Sequence, residues 1–118
     1  MLRNAIACAF AALTLAACDG PIAQPVLTEA QFRQEIVGKT LSNGATTLRI
    51  FANGIVGGLG NSGPVVGTWR WEDGRFCRII ASGGPVGDGC QTVLLTGEAV
   101  TFIEASGGVG NQTYFLAN

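Results

Sequence analysis

Short apolar runs broken by turn residues at intervals of about ten positions constrain this chain more than any other feature. Asn53-Gly54 separates residues 46–52 (TTLRIFA) from Ile55 and Val56, and Asn-Gly between such runs is a strong hairpin signal. Glu72-Asp73-Gly74 separates 65–71 (VVGTWRW) from 75–80 (RFCRII), a second hairpin. Residues 91–95 (QTVLL) turn at Thr96-Gly97-Glu98 into 99–105 (AVTFIEA), and 106–111 (SGGVGN) lead into 112–116. No interval holds a crossover helix, which excludes a parallel sheet. The pattern predicts a mainly β, small α+β domain. Its sheet is an antiparallel meander of seven or eight strands, forming a small barrel or a curled sheet with one N-terminal helix.

The helix is predicted from Thr28-Glu29-Ala30-Gln31, which has the form of a capping box. Phe32, Ile36 and Val37 fall on one face, Arg33, Gln34 and Glu35 on the other, and Gly38 stops it. At about ten residues this helix is marginal alone and must pack on the sheet. Trp69 and Trp71 share one face of their strand, with Thr68, Arg70 and Glu72 on the other. Such a pair packs a small β core, and a ligand-stacking platform is the alternative.

The N-terminus is a different kind of segment. Arg3 precedes an apolar run over 5–17, closed by small residues, which is the order of a secretory signal. A membrane-spanning helix needs roughly 20 apolar residues, so the run is too short for one. Leu15-Ala16-Ala17-Cys18 resembles the bacterial lipobox. That resemblance implies cleavage before Cys18, acylation of its thiol and new amino group, and anchorage in the bacterial envelope facing the periplasm. An ordinary cleaved signal is the alternative. Asp19 resembles an inner-membrane retention signal. The expected organisation is a signal peptide over 1–17, a flexible tether over 18–27 with Pro21 and Pro25, and one domain over 28–118.

Composition removes several classes of function. The chain of 118 residues has no His, so Ser-His-Asp and Cys-His catalysis are impossible. Seven basic residues against eight acidic ones assemble no nucleic-acid surface. The carboxylates Glu72, Asp73, Asp88, Glu98 and Glu104 lie largely in or beside glycine turns, where such residues are ordinarily solvated. Arg70, Arg75 and Arg78 cluster around one hairpin and read as its solvated face, or as contact with an anionic partner. No enzyme activity, cofactor or metal is expected.

Of the four cysteines, Cys8 leaves with the signal and Cys18 takes the lipid. Cys77 and Cys90 remain, and in an oxidising compartment an even pair reads as a disulfide. Residues 81–89, inside that link, carry Ser82, Gly83, Gly84, Pro85, Val86, Gly87, Asp88 and Gly89. This loop is the first candidate for a recognition site, with a plain hairpin connection as the alternative. Gly58-Leu59-Gly60-Asn61-Ser62-Gly63 matches the dinucleotide fingerprint G-x-G-x-x-G. A strand follows it where the fingerprint requires a helix, so a nucleotide site is not expected.

Residues 32–41 (FRQEIVGKTL), 67–78 (GTWRWEDGRFCR) and Cys90-Gln91 together resemble a family of small exported proteins of alphaproteobacteria, over about residues 28–116. The family brings no established function. Its members often carry the label dihydrodipicolinate reductase. That enzyme has a Rossmann domain and a His-rich active-site motif, which a His-free chain cannot contain. The functional expectation is a non-enzymatic envelope lipoprotein that binds a protein or envelope component. A periplasmic hydrolase inhibitor and a barrel enclosing a small apolar ligand are the rival readings.

Overall fold

A computed structural model of the protein describes residues 21–84, 87–104 and 111–118. Its elements in chain order are β1 (Gln24–Val26), α1 (Glu29–Glu35), β2 (Thr40–Ser42), β3 (Thr47–Ile50), β4 (Ile55–Gly60) and β5 (Gly63–Glu72). There follow β6 (Arg75–Ser82), β7 (Gly87–Thr96), β8 (Ala99–Glu104) and β9 (Gln112–Ala117). The expected meander is present, and it closes. Strands β2 to β9 pair with their sequence neighbours, and β2 pairs with β9, so eight antiparallel strands form a complete barrel. Closure lets each strand turn one face inward, as the alternation of buried and exposed residues along β5 shows.

β1 corrects the expectation of a flexible tether reaching to residue 27. Gln24, Pro25 and Val26 pair with Leu95, Leu94 and Val93 of β7. β7 runs beyond the start of β6, whose pairing reaches only Phe76↔Gln91, and β1 covers the edge left open. Val26 is fully buried there.

The turns of a meander alternate between two poles. Residues 51–54, 73–74 and 97–98 mark one pole, and 43–46, 61–62 and 83–84 the other. α1 plugs the first. Thr28 caps it, its Oγ1 accepting from the Gln31 amide at 3.1 Å, with the Gln31 side chain accepting from Leu27 at 3.2 Å. The helix spans seven residues, shorter than expected, because Ile36 already leaves helical geometry. Phe32 and Ile36 nevertheless share the predicted face, and both are fully buried. Phe32 lies 5.0–5.3 Å from the rings of Trp69, Trp71 and Phe76, so the tryptophan pair packs the core. Arg33 fastens the plug from outside, donating to the Ala52 carbonyl at 3.0 Å with its guanidinium over Trp69.

The glycines that matched the dinucleotide fingerprint lie on the β4–β5 hairpin. Gly58 has φ 135°, and a Cβ there would collide with the Thr47 carbonyl of β3. Close strand packing accounts for it.

Candidate functional site

Above the plug the barrel is hollow. A cavity of ≈ 460 Å³ opens at the second pole, between Asn43, Thr46, Asn61, Ser62, Gly83 and Gly84. Its floor is aromatic: Phe76 stacks on Phe32 below and lies 5.2 Å from Phe102, which meets Tyr114 edge-on at 5.9 Å. Ile50, Val56, Val65 and Ile80 line the walls.

One side of the cavity is polar. On β6, Phe76, Arg78 and Ile80 all line the interior, which corrects the reading of Arg78 as part of a solvated hairpin face. The Arg78 Nη2 donates to Glu104 Oε2 at 3.1 Å, both side chains being about four-fifths buried. The Gln91 Nε2 donates to the same oxygen, and Gln91 is 3% exposed. Nearby the Tyr114 hydroxyl donates to Gln112 Oε1 at 2.8 Å. Burial pushes the Tyr114 phenol above its ordinary 10.0, and the Arg78 charge opposes that rise. Arg70, in contrast, points outward and pairs with Glu72 at 3.2 Å, both exposed.

Cys77 and Cys90 form the expected disulfide, joining directly opposed residues of β6 and β7. Strand alternation places the link on the outside of the barrel, since the flanking Phe76, Arg78 and Gln91 face the cavity. Glu72 comes near both sulfurs. The disulfide has consumed the thiolates that a metal would need from this cluster.

The candidate recognition loop is shorter than 81–89. β6 continues through Ser82 and β7 begins at Gly87, so of the residues between them only Gly83 and Gly84 are described. Gly83 and Gly84 sit on the cavity rim. Gly83 has φ 86°, and a Cβ there would collide with the Pro64 carbonyl. Gly87 and Asp88 are exposed strand residues, and Gly89 is partly buried beside Glu104. Pro85 and Val86 lie outside the described residues, as do Cys18, Asp19 and the whole signal segment. Among the described residues no helix is long and apolar enough to cross a membrane.

Sequence reasoning missed Gln91, Gln112 and Tyr114 as site residues. Their signal was parity: Gln91 alternates with Val93 and Leu95, and Gln112 with Tyr114 and Leu116. The fold defines a class, the closed eight-stranded up-and-down barrel, here with an internal cavity. No protein-family model, curated protein or solved structure matches the chain.

Proposed function

We propose that the protein is a non-enzymatic lipoprotein of the bacterial envelope whose barrel binds one small amphipathic molecule. The observation that carries the binding reading is the cavity of ≈ 460 Å³ with apolar walls, a polar rim and a polar side built around Arg78. An eight-stranded barrel either fills with its own side chains or holds one small ligand. This volume falls within the usual range of about 300–1,000 Å³ for ligand sites. The non-enzymatic part rests on the absence of His and on Glu104, whose carboxylate is engaged by Arg78 and Gln91. Such an arrangement orients a ligand. The anchor rests on the lipobox residues Leu15-Ala16-Ala17-Cys18, with two or three acyl chains giving stable attachment.

Native mass spectrometry of the protein released from its own membranes tests both parts. The expected spectrum carries the acyl mass, lost in Cys18→Ser, and a non-covalent small molecule. A ligand-free spectrum that also gains no mass on exposure to N-phenyl-1-naphthylamine would overturn the binding reading.

A second reading, inhibition of an envelope hydrolase, draws support from the β6–β7 hairpin, whose disulfide lies below a rim loop carrying Gly83 and Gly84. Replacing residues 83–86 would then abolish inhibition. No inhibition of envelope hydrolases at micromolar protein would remove this reading.

A further inference from the structure

Resting on the proposal that the barrel binds a small molecule, we infer that its ligand is a single-chain amphiphile with a carboxylate head, seated on Arg78. Size is the first argument. A space of ≈ 460 Å³ holds roughly fifteen water-sized groups of ~30 Å³. One acyl chain of about ten carbons fits that volume, and a two-chain phospholipid does not.

The second argument is the hydrogen-bond inventory of the polar side. Arginine offers five N–H donors and no acceptor. Among the described residues Arg78 spends one contact, on Glu104. Arg78 itself lines the cavity. Glu104 Oε2 already accepts from both Arg78 and Gln91, so it fixes the guanidinium in place. The Gln112 Oε1 is taken by the Tyr114 hydroxyl, which leaves the Gln112 amide N–H groups as donors on the same side. A head group there meets donors and a fixed cation. Carboxylate oxygens match both, and guanidinium–carboxylate hydrogen bonds are among the strong ones. An ammonium head meets Arg78 as a like charge, and Glu104, the carboxylate that could attract it, is not among the residues lining the cavity.

Residues 18–118 contain the whole barrel, and exporting them with Cys18→Ser removes acyl chains and detergent from the assay. The neutral probe N-phenyl-1-naphthylamine reports the cavity by its fluorescence. Decanoate and decylamine then compete for it, and calorimetry measures each directly. Decanoate is expected to displace the probe at concentrations at least about 10-fold below decylamine. The double variant Arg78→Gln/Glu104→Gln, which keeps hydrogen-bonding groups without charge, should lose that preference, with circular dichroism checking that the barrel is folded. Equal competition by the two chains, or an unchanged preference in the double variant, would overturn the head-group assignment while leaving the cavity reading intact. No probe fluorescence and no heat from either chain would overturn both.

Discussion

Arg78 on β6 reaches across β7 to Glu104 on β8, and the β7 residue opposite Arg78 is Gly89, which has no side chain to obstruct it. A Cβ at Gly89 would lie 3.5 Å from Glu104 Oε1, an ordinary contact. Gly89→Ala should therefore be tolerated. Gly89→Leu should force the pair apart and destabilise the barrel by about 1–3 kcal/mol. Urea midpoints of the two variants check this ordering.

Removing only one partner of that pair leaves a buried charge. Arg78→Met strips Glu104 of its cation and should cost about 1–3 kcal/mol. Arg78→Met/Glu104→Met should recover part of the loss, because no uncompensated charge remains. A double-mutant cycle in urea measures the coupling.

The plug is predicted to be the most sensitive point of the core. Phe32 is fully buried among Trp69, Trp71 and Phe76. Phe32→Ala removes the centre of that cluster and should cost about 3–5 kcal/mol. Chemical denaturation followed by tryptophan fluorescence reads the loss directly.

Reducing Cys77–Cys90, which are 13 residues apart, should lower stability by about 3 kcal/mol. For a domain of this size the melting temperature should fall by more than about 10 °C. Because the link lies outside the cavity, probe binding at low temperature should survive. Calorimetric melting with and without reductant, beside a probe titration, separates the two effects.

Tyr114 gives the protein an alkaline limit. Its folded pKa is raised, chiefly by burial, so above pH 10 the unfolded chain releases a proton that the folded chain retains. Stability is complete below the unfolded value and declines as pH rises through the window above it. Urea midpoints between pH 8 and 11 should fall, and Tyr114→Phe should flatten that part of the curve.

The hairpins were legible in the sequence because each is local: a turn pair between alternating runs specifies its own strands. Asn53-Gly54 and Asp73-Gly74 mark real turns, and Trp69 and Phe76 face inward as alternation requires. Closure was not legible, because β2 is only Thr40–Ser42 and its partner β9 lies at the far end of the chain. β1 was hidden by Pro25 and by its single buried residue, Val26. The polar side of the cavity was half visible. Phe76, Arg78 and Ile80 alternate on one face, but the partner that makes an inward arginine tolerable, Glu104, lies 26 residues away. Nothing local connects the two.

The position of β1 fixes more than an open edge of the sheet. Pro21 lies against Gly97, at the plugged pole and opposite the mouth. Only Asp19 and Gly20 lie between Cys18 and Pro21, so the three peptide steps span at most about 11 Å of extended chain. A lipid on Cys18 would hold the molecule upright on its base, like a cup set on a table, with the opening turned away from the bilayer. Cargo would then be exchanged with water or with a soluble carrier, rather than drawn sideways out of the leaflet beneath.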